Sequence, residues 1–194
     1  MLGEVRAAGE PSLLPLFLKL AGKTVLVVGA GPIAERRIEA LLEAGAEVRV
    51  VAPEATEGVQ RMARERRVEW RERPFVDADA EDVWLAFAAT SDVEAQQSVA
   101  QATSARRVFC VAVDDPSHAS AYSGSIVRRP PFTVAISSGG ATPALTRLLR
   151  EVIEHVLPGE AWVERAKSLR ATWLAEGTPM RDRFAELVRE VKKG

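Results

Sequence analysis

Residues 23–54 read KTVLVVGAGPIAERRIEALLEAGAEVRVVAPE, and this stretch decides the fold. Thr24 to Val28 is an apolar run rich in β-branched residues, and it meets Gly29-Ala30-Gly31. Pro32 opens an amphipathic stretch reaching about Ala44, Gly45 stops it, and Val48 to Ala52 forms a second apolar run. The pattern predicts strand, tight turn, helix, turn, strand: one βαβ unit. Pro32 falls in the first helical turn, where its missing N–H costs nothing. Ile33, Ile38, Leu41 and Leu42 are expected to form the apolar face of this helix, with Glu35, Arg36, Arg37, Glu39 and Glu43 mostly elsewhere. The small residues fall as G-x-G-x-x-A, with Ala34 in third place. In a dinucleotide turn Gly29 would make the bend tight, Gly31 would let a pyrophosphate approach the backbone, and Ala34 would allow close helix–strand packing.

Working outward, Leu13 to Leu20 reads as an extended lead-in after a polar, flexible tail over 1–12. Downstream, Glu57 to Arg67 predicts a charged helix and Val68 to Trp70 a short strand. An acidic stretch follows at Asp77 to Asp82, and Val83 to Thr90 (VWLAFAAT) predicts a buried strand. Ser91-Asp92 can cap a helix over Val93 to Ser104, and Val108 to Val113 is another buried strand. Strands alternating with helices predict an α/β fold, a Rossmann-type doubly wound parallel sheet, over 13–115. The rhythm then changes. Ser125 to Arg128 and Phe132 to Ser137 predict a small β region within 116–143. Three helices follow in 144–194: residues 144–157, Glu160 to Ala175 and Met180 to Val191.

Composition narrows the function classes. The chain has 194 residues, 47% hydrophobic and 27% charged, with a net charge of -1, so nothing calls for a nucleic-acid partner. One cysteine, Cys110, permits no internal disulfide and fits a cytoplasmic setting; with only His118 and His155 beside it, no zinc cluster or other metal site is expected. Leu13 to Leu20 is too short and too interrupted to span a membrane, and the first residues lack a secretory pattern.

Three groups of residues carry candidate chemistry. The acid usual at the end of the second strand is absent: Val51-Ala52-Pro53 stand there and Glu54 comes slightly late, either reaching a ribose or lying solvated in a loop. Asp114 closes a predicted parallel strand, where such sheets hold ligands, and could take a proton while a nicotinamide takes a hydride; Asp114-Asp115-Pro116 also reads as a plain turn. Ser137 to Pro143 (SSGGATP) leads into a helix with Thr142 as N-cap. It is a good seat for carboxylates with Arg128, Arg129, Arg147 and Arg150 nearby in sequence, or simply a flexible connection. Cys110 reads as buried filler, and His118 as a loop residue near Asp114.

Taken together, VLVVGAGPIAERR, LLEAGAEVRVVAPE, WLAFAATSD, VFCVAVDDP and SIVRRPPFTVAISSGGATPALTRLLREVIE occur in one order. From about Leu14 to Pro158 the chain resembles the precorrin-2 dehydrogenase/sirohydrochlorin ferrochelatase family, the siroheme-synthase N-terminal module, in its stand-alone form. The resemblance implies NAD-dependent oxidation of precorrin-2 to sirohydrochlorin, in some members followed by ferrous-iron insertion. It implies NAD contacts at Pro32, Ile33, Pro53 and Glu54, beside Gly29 and Gly31 of the glycine turn, a catalytic aspartate at Asp114, and a tetrapyrrole site at Ser138, where Gly139 and Arg128 are the neighbouring candidates for its carboxylates. It also implies a homodimer joined through about Ser125 to Ser137. Val111 and Gln96 stand where members often carry asparagine, and residues 121–124 (AYSG) replace an aromatic-x-x-proline pattern. Two other readings are a non-catalytic NAD(H)-sensing module and a chelatase-only enzyme.

Overall fold

A computed structural model describes residues 13–112 and 118–191. The chain divides between Ser123 and Gly124 into two compact units. The first carries β1 (Thr24–Val28), α1 (Pro32–Glu43), β2 (Glu47–Val51), α2 (Glu57–Arg64) and β3 (Val68–Arg71), then a 3₁₀ turn (Asp77–Ala80), β4 (Leu85–Ala88), α3 (Val93–Ala105) and β5 (Phe109–Ala112). The five strands are parallel, in the order β3-β2-β1-β4-β5. This is the doubly wound arrangement expected from the sequence. The order reverses between β1 and β4, and such sheets hold ligands at that switch point.

Alternation along β1 builds both cores at once, because successive side chains leave a strand on opposite faces. Val25 and Val27 join Ala34, Ile38 and Leu41 of α1 and Val59 and Met62 of α2 on one face. Leu26 and Val28 join Val99 and Ala102 of α3 and Cys110 of β5 on the other. Each buried valine or leucine contributes roughly 1.5–3 kcal/mol of transfer free energy, so the sheet's middle strands anchor the unit. Leu13 to Leu18 lies without regular structure and exposed, consistent with an extended lead-in. The α2 helix ends at Arg64, short of the expected Arg67, because Arg66 turns to φ 57 and cannot continue it.

The acidic stretch has a structural task. Asp79 is fully buried, with its carboxylate accepting from Arg71 (2.6 Å), from both guanidinium nitrogens of Arg73 (2.6 and 2.7 Å) and from the Val76 N–H (3.0 Å). Burial alone would raise its pKa, but the bonds from Arg73, Val76 and Arg71 outweigh it and hold the carboxyl down to about 2. The folded-state value lies below the ordinary carboxylate range. The stabilisation is therefore complete above about pH 4 and is lost as pH falls toward 2. Asp79→Ala would leave two cations facing a buried gap. Because their side chains are 31% and 41% exposed, water offsets part of the cost, and a loss of about 3 kcal/mol is expected. Denaturant titration of the variant at neutral pH checks this, and a change under about 0.5 kcal/mol, the range of ordinary surface substitutions, would contradict it.

The second unit opens with the antiparallel pair β6 (Ser125–Arg129) and β7 (Phe132–Ile136), registered Ser125 against Ile136 and Arg129 against Phe132. Helices α4 (Pro143–Val156), α5 (Glu160–Ala175) and α6 (Met180–Val191) follow. Arg129 ties the hairpin to the end of α4 by donating to the Leu157 carbonyl at 2.6 Å. Trp173 of α5 donates its indole N–H to Glu186 of α6, and Arg165 pairs with Glu190.

Candidate nucleotide site

The turn after β1 is shaped by its two glycines for different reasons. Gly29 sits at φ +104, and a Cβ there would run into the Ala89 carbonyl, inside van der Waals contact. Glycine is required by the chain itself, where the turn after β1 abuts the segment after β4. Gly31 has ordinary extended backbone (φ -77, ψ -177), and a Cβ there would meet no atom within 4 Å. No protein neighbour explains a glycine at 31; open space in front of the backbone does.

That space faces the N-terminus of α1. The α2 N-terminus is capped by Thr56 and that of α3 by Asp92, whose carboxylate accepts from Glu94 and Ala95 N–H groups. The α1 helix has Gly31 at its N-cap and no side-chain cap, so its first amides are left for an external acceptor. An uncapped helix start beside a glycine cradle suits a pyrophosphate. The residues present therefore fit a dinucleotide.

Around this turn lie most of the residues expected to contact the cofactor. Pro32 opens α1, and Pro53 and Glu54 follow β2, all exposed. Ile33 corrects the expectation that it joins the helix's apolar face: it is 57% exposed, while Ala34, Ile38 and Leu41 fill the core. One residue into the helix, Ile33 points away from the sheet, as a residue contacting a nucleotide would. The Trp70 indole donates to the Ala52 carbonyl at 3.1 Å, fixing the end of β2.

Three features were not read from the sequence. Glu35 belongs by spacing to the charged side of α1, yet its carboxylate accepts from the Thr56 hydroxyl at 2.6 Å and fills the space where Gly58 lacks a Cβ. The Thr56 N–H donates to the Ala30 carbonyl at 3.0 Å, so the β2–α2 loop is tied to the glycine turn itself. The available signal was Gly58, a glycine in the first turn of an otherwise charged helix. Second, the buried Gln96 amide donates to the Thr90 carbonyl at 2.5 Å, holding the loop after β4. Third, Ser120 and Ala121 donate their N–H groups to the Cys110 carbonyl (2.9 and 3.0 Å), and the Ser120 hydroxyl accepts from Cys110 N–H. This covers the outer edge of β5. Arg37 donates to Ser123 at 2.7 Å and lies over the Phe87 ring.

Asp114 lies outside the described residues. Cys110 is buried, and burial pushes its thiol up despite hydrogen bonds with Thr103 and Ala88, as suits a packing residue. Ser138, Gly139 and Arg128 belong to the second unit. Ser138 Oγ accepts from the Thr142 N–H at 3.1 Å and bonds the Thr146 hydroxyl at 3.2 Å, shaping the turn before α4. Thr142 occupies the N-cap position as expected, but its side chain makes no capping bond, because its backbone (φ -142, ψ 71) turns away from the helix start. Of the arginines expected to hold carboxylates, Arg147 and Arg150 pair with Glu151 and Glu154 one turn along α4, a solvated pattern. Arg129 is taken by Leu157, while Arg128 is exposed and makes no bond among the described residues.

The chain belongs to the family described as putative NAD(P)-binding, whose model matches residues 16–125. A nicotinamide dinucleotide is thus the cofactor class of the first unit. Among relatives, siroheme synthase 2 of Klebsiella pneumoniae is 43% identical over 145 residues, 75% of this chain and 32% of that protein. Siroheme synthase of Xylella fastidiosa is 41% identical over 152 residues, 78% of this chain and 32% of that protein. The resemblance read from the motifs is the one these relatives bear out, although the chain spans about a third of their length. A solved structure described as SirC, precorrin-2 dehydrogenase, matches with a TM-score of 0.72 over 94% of this chain and all of that one. At 21% identity that likeness is one of fold. Among the described residues no helix is long and apolar enough to cross a membrane, and no cluster of ligating side chains could hold a metal.

Proposed function

We propose that this chain oxidises precorrin-2 to sirohydrochlorin with NAD as hydride acceptor, a step of siroheme biosynthesis carried out in the cytoplasm. The observation carrying the proposal is the uncapped, glycine-lined start of α1, in a chain more than 40% identical to siroheme synthases over three quarters of its length. When bound, the nicotinamide supplies the two-electron acceptor. The chain's own residues would do the rest. Gly31 and the first amides of α1 would seat the pyrophosphate, and Pro32, Ile33, Pro53 and Glu54 would border the cofactor. Asp114 would take the proton that leaves as the hydride is lost, so that one precorrin-2 and one NAD+ give one sirohydrochlorin, one NADH and one proton. Ser138, Gly139 and Arg128 would receive the tetrapyrrole's carboxylates. NAD rather than NADP is supported by residues 51–58, VAPEATEG, which hold two carboxylates and no cation.

Ferrous-iron insertion into sirohydrochlorin is proposed as a second activity, with iron as substrate and Asp114 as acceptor of a pyrrole proton. We also propose a division into a Rossmann domain over 13–115, a β dimerisation region over 116–143 and a helical region over 144–194. A homodimer is supported by the exposed stripe Leu145, Leu148, Leu149, Val152 and Val156 on α4, beside the hairpin. Light scattering is expected to give twice the chain mass; a monomer at micromolar concentration would remove this part. The function itself is tested by anaerobic incubation with precorrin-2, with and without NAD+ and with and without ferrous ion. NADH formation that requires both precorrin-2 and NAD+ is expected. Metal insertion without any NADH would instead favour a chelatase-only enzyme, and nucleotide binding with neither reaction a sensing module.

A further inference from the structure

The Glu35 carboxylate occupies a built seat. It is held by the Thr56 hydroxyl at 2.6 Å, and the absence of a Cβ at Gly58 makes the room it fills. Thr56 Oγ1 in turn accepts from the Val59 N–H at 3.3 Å, so one hydroxyl joins Glu35 to the capped start of α2. A carboxylate carried on α1 therefore stands at the positive end of α2. Glu57 lies in the first turn of that helix, and Glu54 is exposed two residues before its N-cap. The basic residues of α2, Arg61 and Arg64, are in its last turn, at the opposite end. The loop after the second strand of such a sheet is where the adenosine ribose is read, and NADP differs from NAD there by a 2′-phosphate.

We infer that Glu35 is a specificity-determining residue, a fixed charge that excludes the 2′-phosphate and makes the site select NAD. It stands in for the strand-end acid that Val51-Ala52-Pro53 lack. A helix N-terminus facing this loop would otherwise attract the extra phosphate; here Thr56 and Glu35 already claim it. The inference rests on the proposed NAD site, but not on the identity of the reduced substrate.

Calorimetric titration of the whole chain with NAD+ and with NADP+ tests it. Wild type is expected to prefer NAD+. Glu35→Gln keeps an acceptor for Thr56 and removes only the charge, so it is expected to tighten NADP+ about tenfold while NAD+ stays within about threefold. An unchanged ratio of the two affinities, with NAD+ still bound, overturns the inference and leaves the NAD site standing. A wild type that prefers NADP+ overturns it as well. No binding of either nucleotide to folded wild type removes the cofactor site and the inference together. A second measurement needs no variant. Like-charge repulsion is screened by salt, so raising it from about 0.05 to about 0.5 M should narrow the wild-type preference, and a preference indifferent to salt contradicts the role given to Glu35.

Discussion

Asp114→Ala is expected to lower the rate of precorrin-2 oxidation about a thousandfold while NAD+ affinity is unchanged, as befits removal of a general base. The surrounding framework is what makes the expectation specific. Ala112 at the end of β5 pairs with Ala88, and Ala88 with Val28, so β5 ends at the same sheet edge as the glycine turn. Asp114 is two residues further along the chain. After it, Ser120 and Ala121 return to the Cys110 carbonyl, and Ser123 is held by Arg37. The described residues that flank the proposed base are tied to β5 and α1, and proton transfer depends on placement more than cofactor binding does. If Asp114→Ala oxidised precorrin-2 at the wild-type rate, the aspartate would have no part in the reaction. Loss of NAD+ binding in that variant would instead make its role structural.

The second large effect separates the two glycines. Gly31→Val is expected to weaken NAD+ binding about a hundredfold and leave the unfolding midpoint nearly unchanged. Position 31 has a backbone conformation open to any residue, with no protein atom near its missing side chain. Valine would fill only the open space proposed for the pyrophosphate. Gly29→Ala should do the reverse at its root: φ +104 and the Ala89 carbonyl both oppose a Cβ, so the fold loses about 2–3 kcal/mol before binding is considered. Thermal unfolding and nucleotide titration of the two variants decide the matter. A Gly31→Val protein that binds NAD+ as wild type does would show that the phosphates lie elsewhere.

These contrasts also show what the chain discloses before it is folded. The sheet was legible because its signals are local: a continuous apolar run in β1, glycine stops, and a proline opening α1. The glycine fingerprint was legible for the same reason, since it joins neighbours in sequence. What escaped is carried by contacts across the chain. Glu35 and Thr56 are 21 residues apart. On a helix, Glu35 looks like any solvated acid until α2 is placed beside it. Asp79 read as part of an acidic connection, yet its two arginine partners lie behind it on and after β3, and only the fold brings these partly exposed cations onto the buried carboxylate. Ile33 misled in the other direction. Its spacing suited a core face, but in the first turn of α1, beyond the carboxyl end of the central strand β1, its side chain is left exposed. In the second unit, Ser138 rather than Thr142 organises the start of α4, because the backbone at 142 departs from capping geometry.

The central proposed step is the transfer of hydride from precorrin-2 to NAD+ on this chain. The direct measurement is the stoichiometry of a single anaerobic reaction of the purified protein, following NADH and sirohydrochlorin together. One NADH for each sirohydrochlorin, with neither formed when NAD+ is omitted, is the expected result. Sirohydrochlorin appearing without NADH, or a folded protein that binds NAD+ yet forms neither product, would contradict it.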